Sequence, residues 1–205
     1  MVNIFLNQLI YHLLLLQMGF LLLVFHHNKK LAKKVPMFLT IICDTLRDFD
    51  NAIYFGELAL KDGYITPEEN LSRSYYMRGS SIEDYTSALG HIDICTGIND
   101  DLSEELMLCK CDILLILEKY DDVLKIVDHL FFTSKVLPVF YYFKARALYG
   151  KASSKNDFKN ALESFEFYLE KGVHTISMEV TLGDYAALVE EIEDDEEIEP
   201  DADVK

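Results

Sequence analysis

The sequence predicts an all-α fold of stacked antiparallel helix pairs, about four repeats, closed by a capping helix. Three observations predict it. An aromatic residue stands three places before a small or β-branched one at Phe49/Ala52, Tyr85/Ala88, Tyr120/Val123 and Phe158/Ala161, so the motif returns at a nearly constant interval. A period of that kind marks a supersecondary unit that buries its apolar face only by stacking on its neighbours. Glycine and proline are sparse while half the chain is hydrophobic, which favours helices over turn-rich β structure. Helix start and stop signals fall where helix pairs need them.

Residues 1–36 are a hydrophobic N-terminal segment with a lysine-rich flank. Residues 1–28 carry no Lys, Arg, Asp or Glu, and Ile4 to Phe25 is a mostly apolar run, long enough to cross a bilayer. Asn7, Gln8, His12 and Gln17 interrupt it, and Lys29, Lys30, Lys33 and Lys34 follow at once. If the run spans, those lysines keep the rest of the chain in the cytosol. A cleaved signal peptide fits badly, because there is no basic leading region and no small-residue cleavage site. Two readings stay open: a membrane anchor over 4–25, or a start extended upstream of a natural one at Met37.

The helical domain is expected over 37–189. Pro36 opens the first helix, where its missing N–H costs nothing, and 37–47 form helix A of the first pair. Asp48 to Lys61 form helix B, with Ala52, Phe55, Gly56 and Ala59 on one face. Thr66-Pro67-Glu68-Glu69 starts the second pair with a cap, a proline and acids at the positive dipole end. Its helix A runs to about Arg78, Gly79-Ser80-Ser81 turns the chain, and helix B runs from Ile82 to about Thr96. Ser103-Glu104-Glu105 caps the third pair, whose helices are 106–118 and 119–132. Pro138 starts the fourth, through Tyr149. A long loop over Gly150–Asn156 accounts for the wider last interval, and helix B follows from Asp157 to Lys171, ending at Gly172. Residues 174–190 are expected to cap the stack, since open repeat arrays expose core at their ends.

Charge is unevenly spread. The net charge is −16, and ten of the fourteen residues from Glu190 to Asp203 are acidic. The segment 190–205 is therefore expected to be a disordered acidic tail. Across 1–189 acids still outnumber bases, a balance that argues against binding a phosphate backbone. The cysteines are 43, 95, 109 and 111. C-x-C is not the spacing of a zinc site, and helical context suggests buried reduced thiols. His91 and His129 lie in B helices, on or beside apolar faces, as structural histidines. Asp48-Phe49-Asp50-Asn51 resembles the opening of a calcium loop but lacks its glycine and terminal glutamate. No H-E-x-x-H, G-x-S-x-G, P-loop or G-x-G-x-x-G motif occurs. No catalytic residue, cofactor or metal site is expected.

The aromatic-x-x-small pattern resembles the tetratricopeptide repeat, in which helix B presses on helix A of its own unit and of the next. The W-x₂-L-G-x₂-Y half of that pattern is largely missing here. The resemblance implies a right-handed solenoid; the alternative is a non-repeating helical bundle, which is all-α too. Over about 37–170 the chain is similar to the N-terminal repeats of the tetratricopeptide scaffold subunits of the anaphase-promoting complex, through FDNAIYFGELAL (49–60), PEENLSRSYYMRGS (67–80) and LMLCKCDILL (106–115). In that family these repeats serve homodimerisation, which the resemblance implies for 37–170. The family's long C-terminal superhelix has no counterpart in this sequence.

In the repeat register, helix A lines a concave surface, and its outward positions are Asp44, Asn70, Arg73, Met77, Leu108, Asp112 and Phe143. An apolar strip with Arg73 at its centre suits an extended or helical peptide. A carboxylate clamp of the chaperone-tail kind is not matched, since Lys110 and Lys144 lack partner residues one turn on. The expected function is a non-enzymatic scaffold or adaptor for protein–protein interaction in a multisubunit assembly such as a ubiquitin ligase, in cytoplasm or nucleus. Its expected partners are other proteins, a second copy included, and not nucleic acid. Two alternatives stand: a membrane-anchored repeat receptor facing the cytosol, and a small helical enzyme or regulator with an unrecognised site.

Overall fold

The computed structural model describes residues 19, 34–63, 68–98, 104–132, 137–171 and 183–190. Every regular element among the described residues is a helix: α1 (Val35–Thr45), α2 (Phe49–Lys61), α3 (Glu68–Arg78), α4 (Ile82–Ile98), α5 (Glu104–Ile116), α6 (Tyr120–Phe132), α7 (Val139–Lys151), α8 (Lys155–Glu170) and α9 (183–190). The chain forms two compact units that divide within α5, one up to Ile113 and one from Leu114. In the first unit α1 packs on α2, α2 on α3 and α3 on α4, and α1 also reaches α3. In the second, α6 packs on α7 and α7 on α8. Neighbouring helices thus pack in pairs.

Local chemistry fixes the helix ends. Pro36 falls in the first turn of α1, which starts two residues earlier than expected, and Thr40 Oγ1 donates to the Pro36 carbonyl at 2.9 Å. Arg47, at φ 60°, turns the chain. Asp48 then caps α2 by accepting the Asn51 N–H at 3.4 Å. The acid-rich opening that resembles a calcium loop is therefore a helix cap.

The small or β-branched members of the four motifs, Ala52, Ala88, Val123 and Ala161, are all 0% exposed. Among the largest fully buried side chains are Leu71, Ile92 and Ile113 in the first unit and Phe140, Phe165 and Tyr168 in the second. Each such apolar side chain contributes about 2 kcal/mol by leaving water. Helix backbones come close in this arrangement. A Cβ on Gly56 of α2 would lie 2.5 Å from a Leu71 methyl on α3.

The loop expected over Gly150–Asn156 is shorter than its sequence suggests. Helix α7 continues through Gly150 to Lys151, and α8 begins at Lys155. Two interactions explain this. The Tyr120 ring occupies the place a Gly150 Cβ would take, so a helical glycine lets α6 close on α7. Ser154 and Asp157 form a reciprocal capping box at the start of α8. Of the expected capping segment 174–190, residues 183–190 are helical, and Leu188 is fully buried; 172–182 lie outside the described residues. So do 191–205, nearly all of the expected tail, and the apolar run 4–25 apart from Gly19. Among the described residues no helix is long and apolar enough to cross a membrane.

Because Ala88 is completely enclosed, Ala88→Trp is expected to cost about 3 kcal/mol through overpacking. Urea denaturation followed by circular dichroism checks this; an unchanged midpoint would remove the close crossing from the account.

Candidate functional site

Three helices in the first unit carry the expected face. Asn70, Arg73 and Met77 lie at i, i+3 and i+7 along α3, and Leu108 and Asp112 lie one turn apart on α5, so each set forms a stripe. Asp44 of α1 completes the set, with Ile41 one turn before it. Arg73 is the hinge of the arrangement: its guanidinium lies 3.6 Å from Asp44 and 3.6 Å from Glu105, which ties α1, α3 and α5 in a row. A second link joins α3 to α5, where the Tyr76 hydroxyl donates to Asp112 at 2.5 Å.

These links differ in energy. The Arg73 pairs are long, and the Arg73 side chain is 53% exposed, so each pair contributes a few tenths of a kcal/mol at most. Asp44 is a different case. It is buried, and it accepts the Ser74 hydroxyl at 3.1 Å. Removing that acceptor would strand a buried hydroxyl, at a cost of about 1–3 kcal/mol. The arrangement therefore fixes position more than it adds stability. Around it, Ile41 and Met77 are 43% and 44% exposed, while Asn70, Leu108 and Asp112 are half-buried.

The structure brings Asp44, Arg73 and Asp112 into this network and sets Asn70, Met77 and Leu108 on the same stripes. Asp44 is not outward-facing as the register suggests; its carboxylate is turned into the α1–α3 contact. Phe143 is also a correction. It belongs to the second unit and is only 3% exposed, with Phe140 at 6.3 Å and Tyr142 at 5.7 Å between ring centroids. Its place is core, because α7 is enclosed by α6 on one side and α8 on the other. Sequence reasoning missed Ser74, Tyr76 and Glu105. Glu105 was legible from its i−3 offset to Leu108; Ser74 has no local signal, since its partner lies 30 positions away.

Other polar groups knit helices together. His91 Nδ1 lies 2.5 Å from Glu68 Oε2, and its Nε2 lies 3.7 Å from Glu57. Its ring stacks on Tyr75 at 5.5 Å, and the Tyr75 hydroxyl donates to Glu57 at 3.2 Å. One imidazole thus links α2, α3 and α4, as a structural histidine would. Cys95, one turn on, is no nucleophile beside it: burial, then Glu68 and Glu69, push its thiol up. His129 is exposed instead of lying beside an apolar face. Lys110 pairs with Asp93 at 2.7 Å, and the Lys144 amine lies 5.3 Å from the centre of the Phe131 ring.

The four thiols are free; Cys43 and Cys111 are buried, while Cys95 and Cys109 are half-buried. Burial pushes Cys109 up to about 11, helped by Glu105 and Asp112, and Cys111 up to about 12. Such groups are poor nucleophiles at neutral pH. Among the described residues no three His, Cys, Asp or Glu side chains gather as a metal ion would require. A scan of protein-family models finds no match to this chain, and a search of curated proteins finds none either.

The α3–α4 turn carries a pH-dependent lock. Asp84 is 3% exposed and receives Arg78 Nε at 3.0 Å and Arg78 Nη2 at 2.5 Å, with the Ser80 N–H and hydroxyl adding two bonds. Those bonds, Arg78's first, hold its carboxyl down to about 2. In the unfolded chain it titrates at about pH 4. The lock's contribution is thus complete above about pH 4 and is lost as pH falls towards about 2. Arg78→Gln is expected to lower stability by about 2 kcal/mol at neutral pH, and this deficit should shrink on acidification below about pH 4. Paired urea titrations at several pH values measure it; a deficit independent of pH contradicts the lock.

Proposed function

We propose that this chain is a non-enzymatic scaffold or adaptor of tetratricopeptide type, binding a peptide or helix of another protein on the α1/α3/α5 face. One observation carries the reading. Alternate helices are tied side by side, Asp44 to Arg73 to Glu105 and Tyr76 to Asp112, as expected where the first helices of successive pairs line a common surface. The completely buried small residues at the four motif positions favour the same repeat geometry. Exposed Ile41 and Met77 supply the apolar part of a docking surface. The resemblance over 37–170 to scaffold subunits of the anaphase-promoting complex points to a place in a multisubunit assembly, such as a ubiquitin ligase of cytoplasm or nucleus, and to self-association.

A second reading has its own support. The uncharged, mostly apolar run at 4–25, followed by four lysines, favours a membrane-anchored receptor with its helical body in the cytosol. Alkali extraction of membranes separates the two: an integral protein stays in the pellet.

Affinity capture with the full chain and with Met77→Asp, read by quantitative mass spectrometry, tests the scaffold reading. Met77 is exposed, so the substitution should leave the fold intact. A defined set of partners should fall by about tenfold, the loss that an unfavourable ~1.4 kcal/mol produces. An identical partner list for both proteins counts against the face.

A further inference from the structure

We infer that the α1/α3/α5 face takes a basic, amphipathic segment of a partner protein, with the segment's cations directed at the helices. The inference rests on the scaffold reading above and names the chemistry of the partner.

Arg73 looks at first like an anchor for a partner's carboxylate or phosphate, but its guanidinium is already engaged. It stands 3.6 Å from a carboxylate on either side, Asp44 and Glu105. Lys110, the next cation along α5, pairs with Asp93 at 2.7 Å. The Arg73 pairs are weak, so what opposes a new anion is the field of the two carboxylates already beside the guanidinium.

The surplus on the face is negative. Glu105 and Asp112 lie on the face, while Arg73 is balanced by Asp44, whose carboxylate is buried in the α1–α3 contact. The Tyr76 hydroxyl gives Asp112 a hydrogen bond but leaves its charge uncancelled. Glu105 is the most accessible of the three, its side chain 73% exposed. Beside these charges sit exposed Ile41 and Met77 and half-buried Leu108. Methionine is unbranched and adapts to irregular apolar partners. Apolar area interleaved with unspent negative charge complements a segment that alternates apolar side chains with lysine or arginine. The chain's own acidic stretch from Glu190 to Asp203 carries the wrong sign for this surface.

The test uses the full chain and two labelled synthetic peptides with helical spacing, one of leucine and lysine and the other of leucine and glutamate. Fluorescence anisotropy reads affinity across a salt series. The lysine peptide should bind more tightly, and its affinity should fall as salt rises. Glu105→Lys should weaken it about tenfold, whereas Glu163→Lys, an equal charge change at an exposed site on α8, should alter it by less than about twofold. Equal weakening by both variants would mean general attraction to an acidic protein and would overturn the inference. If the glutamate peptide binds better and Met77→Asp abolishes that binding, the inference falls while the scaffold reading stands. If neither Glu105→Lys nor Met77→Asp changes binding of either peptide, both fall.

Discussion

The structure depends on a limit of volume where helices cross. Ala52, Ala88, Val123 and Ala161 have no exposed surface, so a larger side chain at any of them would have to displace neighbours in a close-packed interior. Close approach brings the surrounding Leu, Ile, Phe and Tyr side chains within contact range, and dispersion falls steeply with even a small gap. Where alanine is still too large, glycine appears, as at Gly56 against Leu71. The helices from α1 to α8 are 11 to 17 residues long, near the length at which isolated helices are marginal in water. Tertiary contact, rather than helix propensity, therefore holds them.

Polar chemistry is arranged on top of this packing and serves orientation. Among the described residues no buried side-chain nitrogen or oxygen lacks a hydrogen-bond partner. Arg78 ties the end of α3 to the first turns of α2 and α4 through Asp50 and Asp84, His91 bridges α2 and α3 from α4, and in the second unit Arg146 holds Asp184 at 2.9 Å, joining α9 to α7. A buried charge is tolerable only when paired, so each link specifies one relative placement of its helices. On the α1/α3/α5 face the acids in excess are Glu105 and Asp112 of α5, which meet Arg73 and Tyr76 of α3.

Much of this was legible from spacing alone. The four motifs located the buried positions, because a side chain's face in a helix follows from its number. Helix boundaries shifted by one or two residues where a proline or cap tolerates either start, as at Pro36. Errors arose where burial depends on neighbours far along the chain. Phe143 falls at an outward position of the repeat register, yet α7 has a helix on each side of it. The partners of Ser74 and Tyr76 lie 30 and 36 positions away, beyond any local pattern. The loop after Tyr149 is shorter than expected for a related reason: glycine usually ends a helix, but here a ring from α6 fills the space beside Gly150.

That ring has an evolutionary corollary. Tyr120 and Gly150 share a single volume, so a side chain at 150 requires the ring at 120 to shrink or to shift. A descendant that trims the ring leaves room at 150 for an alanine, which helices prefer by about 1 kcal/mol, and once alanine is installed a returning aromatic has to take a different place. Related chains should therefore show these two positions changing in concert, large with absent and small with present, like the two halves of a cast and its mould.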